Sequence, residues 1–311
     1  MGLQMPGSPG PKRAKGAAAR VRRLALVAGL GASAVLLGGC STAAKNFGMP
    51  VPATEEGEHT LHLWQGAWIA ALVTGVIVWG LIFYAVWRFR RRHEDDIPVQ
   101  TRYNLPLEIF YTIAPVLMVI VFFFHTVKAQ DAVLDDSKPV QNTIEVTGQQ
   151  WTWTFNYGIG QMDASANDTI ATATSTGHFP YSSYVYDAGT ASHIPTLVLP
   201  VNETTRFNLH SPDVIHDFGV DHFLMKMDVI PGRVNHYSVT PDKLGTYRGA
   251  CYELCGLYHS RMLFHVKVVS QADYQAYLKN LQTEGFTSTK PLLGGSDAYT
   301  QAGLQSEGDA E

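Results

Sequence analysis

The chain has 311 residues, enough for one large domain or two ordinary ones, and a formal net charge of −4. That acidic balance argues against nucleic acid as a general partner. The average hides a patchy distribution. A basic stretch with Lys12, Arg13, Lys15, Arg20, Arg22 and Arg23 comes first, then an apolar run from Leu24 to Leu37, then Gly38-Gly39-Cys40. A basic segment, a short apolar segment and small residues before a cleavage point predict a secretion signal over residues 1–39, too short to count as a membrane span.

A cysteine directly after those small residues resembles the lipobox of bacterial lipoproteins. The resemblance implies that Cys40 receives a diacylglycerol group and becomes the mature N-terminus. The chain is then expected to start outside the cytoplasm, with residues 40–60 as a polar linker.

The segment from Leu63 to Trp87 contains no acid or base, and Trp64, Trp68, Tyr84 and Trp87 lie toward its two ends. Such a run spans a bilayer, and these aromatics suit its two interfaces. It stops at Arg88-Phe89-Arg90-Arg91-Arg92, which the positive-inside rule assigns to the cytoplasm. A second apolar segment runs from about Ile109 to Val127, with Pro106 and Pro115 near its beginning. Together they predict a two-helix transmembrane hairpin over residues 61–130, after which the chain returns outside. A buried helix pair in a soluble protein fits two charge-free spans with this flanking charge poorly.

Residues 131–270 read as an all-β domain. Thr143–Thr147, Trp151–Phe155, Thr196–Leu199, Arg206–Leu209 and Phe264–Val268 alternate with period two. Gly148, Pro200-Val201-Asn202, Pro231-Gly232 and Pro241-Asp242 punctuate them. Short strands of this kind predict a sandwich or barrel. Residues 157–194, rich in Ser, Thr, Ala and Gly, predict a long loop; residues 271–283 have helical spacing, and the polar tail to 311 is expected to be disordered.

The stretch CYELCGLYHSRM, residues 251–262, carries Cys251 and Cys255, then His259 and Met262. Three chemistries fit it. A disulfide needs only the two thiols and an oxidising compartment, and leaves His259 and Met262 without a role. A redox dithiol of the kind found in tethered copper chaperones is usually set in a βαβ pattern, whereas this region alternates as β. A metal site uses every residue, since thiolate, thioether and imidazole together select copper. A further histidine must come from an earlier strand: His210, His216, His222 and His236 all precede the cluster, and His216, within Asp213–Val220, sits where a strand end would present it. One copper needs one cysteine. Two bridging thiolates can hold two coppers, with His216 and His259 on opposite metals and Met262 as a weak axial ligand.

The set His216, Cys251, Glu253, Cys255, His259 and Met262 resembles the dinuclear copper centre of cytochrome c oxidase subunit 2, a haem-copper oxidase component, and the likeness covers about residues 60–270. The resemblance implies an N-terminal transmembrane α-helical hairpin followed by an all-β cupredoxin-like sandwich. It implies that the backbone carbonyl of Glu253 completes one copper's coordination while its side chain reaches a magnesium ion shared with subunit 1. It also implies that Trp151, in Gly148-Gln-Gln-Trp-Thr-Trp153, receives electrons from cytochrome c, and that Glu108 lies at the mouth of a proton path. Asp228–Arg233 resembles the segment that faces subunit 1. The sequence departs from the family at Gln149 and Thr152, where many relatives have His and Tyr, and at Tyr111, where a tryptophan is usual.

The resemblance makes the chain the electron-accepting subunit of a terminal oxidase, with oxygen reduction and proton pumping in subunit 1. It implies subunits 1 and 3 as partners, a cytochrome c or membrane-bound cytochrome c as donor, and a cell-membrane location with the copper domain outside. With no C-x-x-C-H for covalent haem, the donor must be a separate protein. Fifteen acids against eight bases between residues 131 and 275 suit a basic one, and the loop 157–194 is expected to contact it. Two other readings remain: a quinol oxidase subunit with the same fold and no copper, and a tethered mononuclear copper carrier. Nitrous oxide reductase carries the same centre but lacks the hairpin.

Overall fold

The computed structural model describes residues 45–92, 97, 100–160, 179–190 and 192–295. Cys40 and the secretion signal lie outside these, as do residues 161–178 of the Ser/Thr-rich loop and the tail from 296.

Helix α1 spans Glu55–Arg88 and helix α2 spans Leu105–Val133, both long and apolar enough to cross a membrane. Each starts further upstream than hydropathy predicts, because capping rather than apolar content sets the start. Thr54 caps α1 by accepting from the backbone N–H of Gly57 at 3.1 Å, and Glu55, Glu56 and Glu58 favour the positive end of the helix dipole. Asn104 caps α2 by accepting from the Leu107 N–H at 3.3 Å, while Glu108 reaches back to accept from the Asn104 N–H at 3.0 Å.

The first turn of α1 is therefore no linker but a docked element. Ala53 N–H donates to His222 O at 2.8 Å, Glu55 N–H to Thr240 O at 3.1 Å, and Asp242 N–H to Ala53 O at 3.0 Å. The Glu56 carboxylate is buried, accepting from Thr240 N–H at 2.8 Å and from Lys138 Nζ at 2.7 Å. These bonds seat the helix pair against the β domain.

Among the described residues eleven strands form that domain: β1 (Asn142–Gln149), β2 (Thr152–Ile159), β3 (Ser183–Ala188), β4 (Thr196–Pro200), β5 (Thr205–His210), β6 (His216–Val220), β7 (Met225–Val229), β8 (Asn235–Val239), β9 (Gly245–Cys251), β10 (Leu263–Val269) and β11 (Thr287–Ser288). One sheet runs β11-β3-β2-β1-β5-β8 and the other β4-β10-β9-β6-β7, the sandwich that the alternation predicts. The β1–β5 and β10–β4 pairs are parallel, and the other strand pairs are antiparallel. Trp153, Phe155, Phe207, Phe218 and Phe264 fill the space between the sheets, with Phe218 and Phe264 stacked at 5.0 Å. Gly249 makes that stack possible, since a Cβ there would lie 2.1 Å from the Phe264 ring.

Three local expectations are corrected. Trp151 precedes strand β2 in a turn instead of lying within it. The predicted loop 157–194 contains β3, whose Tyr184, Val185 and Tyr186 are buried. The tail is ordered as far as 295: β11 pairs with β3, and Leu292 accepts from the Thr147 hydroxyl at 2.8 Å and donates its N–H to Asn156 Oδ1 at 2.8 Å. Sheet-edge pairing outweighs the polar composition. Helix α3 (Gln271–Thr283) forms as its spacing predicts and buries Tyr274, Leu278 and Leu281.

Candidate metal centre

Strand β6 begins at His216 and its neighbour β9 ends at Cys251, with Phe218 paired opposite Cys251. Residues 252–262 then make the connection to β10, and Cys251 N–H donating to Met262 O at 3.0 Å closes its mouth. Met262 is drawn inward by a short 3-10 turn over His259–Arg261. Two adjacent strands and one loop thus bring together residues far apart in the chain.

The two thiols are unlinked, with Cys251 Sγ 3.9 Å from Cys255 Sγ. Each sulfur faces its own histidine: His216 Nδ1 lies 3.9 Å from Cys251 Sγ, and His259 Nδ1 lies 3.6 Å from Cys255 Sγ. Met262 Sδ is 3.8 Å from Cys255 Sγ and the main-chain O of Glu253 is 3.2 Å from Cys251 Sγ. His216, Cys251, Cys255 and Met262 are buried, whereas His259 is half-buried and Glu253 is exposed. All six residues predicted from sequence therefore meet, with Glu253 presenting its backbone. Among the described residues, His216, Cys251 and Cys255 form the one group of three His, Cys, Asp or Glu donors lying within 4.8 Å of one another.

One residue that governs this geometry escapes a motif reading. Asp213 Oδ1 accepts from His216 Nε2 at 2.9 Å and from Val214 N–H at 2.6 Å, and Oδ2 accepts from Gln150 N–H at 2.7 Å. A carboxylate on one imidazole nitrogen fixes the tautomer and leaves the other nitrogen's lone pair for a metal. The available signal was Ser211-Pro212-Asp213, a turn sequence three residues before His216. Burial pushes the Asp213 carboxyl up, but these bonds outweigh it and hold it below its usual range. Burial likewise pushes His216 down, and the bonds to Asp213 and Cys251 more than reverse that, raising it.

The thiols behave as an unequal pair. Burial opposes ionisation of Cys251, yet hydrogen bonds with His216 and with the backbone at Asp217 and Glu253 bring its pKa below the usual value. Cys255 is pushed up to about 12, by burial first and then by the negative charge of Cys251. One thiolate forms readily and resists the second. A cation touching both sulfurs removes that resistance, so the donor set fits a soft metal. At metal–thiolate lengths of about 2.3 Å, an ion also has room to touch both sulfurs.

Trp151 packs on the outside of this cluster. Its indole Nε1 donates to Cys255 O at 3.2 Å, alongside Gln150 Nε2 at 2.7 Å, and its ring meets Tyr258 edge-on at 5.0 Å. Arg261 stacks over Tyr258 at 5.3 Å. Gly256 takes φ of +122°, and a Cβ there would sit 3.1 Å from Trp151 and from Gln150 Nε2. Glu108 stands at the far end of the hairpin from the sandwich, in the cap of α2, and is not part of the cluster.

Residues 142–269 match the family model described as cytochrome c oxidase subunit II, periplasmic domain. The probable cytochrome c oxidase subunit 2 of Streptomyces avermitilis is 44% identical over 88% of this chain and 91% of its own length. The cytochrome c oxidase subunit 2 of Mycobacterium tuberculosis strain H37Rv is 37% identical over 91% of this chain and 88% of its own length. A crystal structure of the periplasmic domain of subunit II of cytochrome oxidase of Bradyrhizobium japonicum aligns at 27% identity, covering 47% of this chain and 97% of that one, with a TM-score of 0.36.

Proposed function

The chain belongs to the cytochrome c oxidase subunit II family, components of a haem-copper oxidase complex, and from that premise we propose that it receives electrons from a cytochrome c and delivers them to haem in subunit 1. The observation that carries this reading is the sulfur pair: two unlinked thiols 3.9 Å apart, each with its own imidazole. His216, Cys251, the Glu253 carbonyl, Cys255, His259 and Met262 would hold two copper ions. When bound there, copper would supply one-electron transfer at a site whose ligands are already in place.

The protein's part is to keep the ligands still. Asp213 orients His216, strands β6 and β9 fix His216 against Cys251, and the closed mouth of the 252–262 loop leaves Met262 no freedom to withdraw. Trp151 is the donor-side contact, since its indole is partly exposed on one side and bonded to the Cys255 carbonyl on the other. Trp153 and Phe218, fully buried with rings 5.4 Å apart, form the core beside the cluster, Trp153 lying 6.1 Å from the His216 ring. The Glu253 carboxylate, free on the surface side of the loop, would reach a magnesium ion at the boundary with subunit 1.

In this reading residues 61–130 anchor the chain in the cell membrane and 131–270 form the extracytoplasmic copper domain. Residues 1–39 are a lipoprotein signal that leaves Cys40 lipidated, and subunits 1 and 3 are the membrane partners. Glu108 serves the proton path from the opposite side of the membrane.

Electron paramagnetic resonance on the copper-loaded full-length chain in detergent tests the centre. The unpaired electron is expected to couple to two copper nuclei. Coupling to one nucleus would make the protein a mononuclear carrier, and absence of a copper signal would favour a metal-free quinol oxidase subunit.

A further inference from the structure

Helices α1 and α2 leave a cleft of about 740 Å³ between them near their sandwich-side ends. Four polar side chains line one end of it, His59 and His62 from α1 with His125 and Lys128 from α2. Further in, the α1 wall is made of Gly66, Ala67 and Ala70, small residues on one helical face that open the hollow. Leu117, Val121 and Phe122 form the opposite wall.

The polar end coincides with the level at which membrane meets water. On α2 the charge-free stretch ends at Val127, immediately before Lys128, and on α1 it begins at Leu63, immediately after His62. Trp64 and Trp68, edge-to-face at 5.8 Å, mark the same level on α1, as interfacial tryptophans do. From His59 to Ala70 the helix rises about 16 Å, roughly half the ~30 Å apolar thickness of a bilayer. The cleft therefore has a polar mouth and an apolar trough one leaflet deep.

Charge identifies the occupant. The lysines nearest on the sandwich side are already engaged, Lys138 by Glu55 and Glu56 and Lys243 by Glu58. Lys128 makes no ion pair among the described residues, and no carboxylate lines the cleft. An imidazole donates from at least one nitrogen in either protonation state, so three histidines and a lysine lining one cleft offer donors to an anion. We propose that this cleft binds one anionic glycerophospholipid, its phosphate held by Lys128, His59, His62 and His125 and one acyl chain lying along Gly66, Ala67 and Ala70. A transmembrane helix of another subunit would also fill a trough of small residues, but a basic mouth at headgroup level over an apolar trough matches the charge and shape of a phospholipid.

The test uses the intact oxidase complex purified in mild detergent, with retained phospholipids counted per chain by mass spectrometry. Lys128→Gln removes the charge and Gly66→Leu fills the trough without touching the polar mouth. Each is expected to lower retained anionic phospholipid about tenfold, with zwitterionic lipid unchanged. Equal retention in wild type and both variants overturns the proposal, as does equal loss of zwitterionic lipid. If either variant fails to assemble, wild-type complex is irradiated with phosphatidylglycerol carrying a diazirine in one acyl chain. Adducts are then expected at Ala67, Ala70 and Val121. Adducts spread evenly over the outer faces of both helices, or displacement of label by a crosslinked subunit helix at Ala67, refute the site.

Discussion

Asp213→Asn is a discriminating perturbation, because the carboxylate answers several donors with two oxygens. Oδ1 accepts from His216 Nε2, Val214 N–H and the Ser211 hydroxyl, and Oδ2 from Gln150 N–H. An amide has one oxygen to offer. If that oxygen replaces Oδ1, the amide nitrogen opposes the Gln150 N–H and a buried donor goes unpaired. If the amide is flipped, its nitrogen faces His216 Nε2. The imidazole must then accept there and carry its proton on Nδ1, the nitrogen 3.9 Å from Cys251 Sγ. The first arrangement costs about 1–3 kcal/mol through the unsatisfied donor, and the second removes a metal ligand's lone pair outright. The first cost falls on fold stability and leaves the tautomer intact, whereas the second lowers copper affinity by roughly tenfold to hundredfold. The assay is competition for copper between the detergent-purified chain and a chelator, with circular dichroism to show that the sandwich is intact. Copper affinity within twofold of wild type together with an unchanged denaturant midpoint in the Asp213→Asn protein would refute the argument that Asp213 sets the His216 tautomer.

Three further outcomes follow from the geometry. Gly256→Ala places a Cβ 3.1 Å from Trp151 at a φ that disfavours side chains, costing about 1–3 kcal/mol; stopped-flow should show slower oxidation of cytochrome c while the copper spectrum is unchanged, and an unchanged rate would remove Trp151 from the path. Glu56→Ala strips the acceptor from Thr240 N–H and leaves Lys138 with Glu55 alone and should lower the unfolding free energy by about 1–3 kcal/mol, read as the denaturant midpoint; no change would mean that the docked turn of α1 contributes nothing. Tyr157, Tyr184, Tyr237 and Tyr274 are at most 2% exposed, and burial raises each phenol above its ordinary value. Because the folded values are raised, their stabilisation is full below about pH 10 and is lost as pH climbs past it. At pH 11 the unfolded chain gains about 1.4 kcal/mol per tyrosine, near 6 kcal/mol for four. Tyrosinate absorbance should therefore appear together with unfolding, and reversible ionisation of all four near pH 10 in the folded protein would contradict it.

The side chains of the candidate centre were legible because metal chemistry constrains their type and spacing, and Cys251, Cys255, His259 and Met262 lie within one short stretch. His216 was legible for a different reason: alternation put it at a strand end, which is where β6 begins. Asp213 was not, since an aspartate in a turn has an ordinary local explanation and its bond to Gln150 joins residues distant in sequence. Hydropathy located both helices but not their starts. Glu55, Glu56 and Glu58 read as linker, although Thr54 before a run of acids is itself a helix-start signal. β3 was hidden by its Ser- and Gly-rich surroundings, and β11 by being two residues long. Both are stabilised by neighbouring strands, information that no local window contains.

The parallel pairing of β10 with β4 has a consequence for the order in which the molecule is made. Residues 196–200 have no partner on that side until residues 265–269 arrive, so the second sheet closes only when nearly the whole domain has been synthesised. The 252–262 loop hangs between β9 and that last strand. Before β10 docks, Cys251 and Cys255 are two thiols on a slack chain, open to oxidation. The order of synthesis thus leaves the 252–262 loop among the last parts of the sandwich to be enclosed, and its two thiols must stay reduced until then to appear as the free pair of the folded domain.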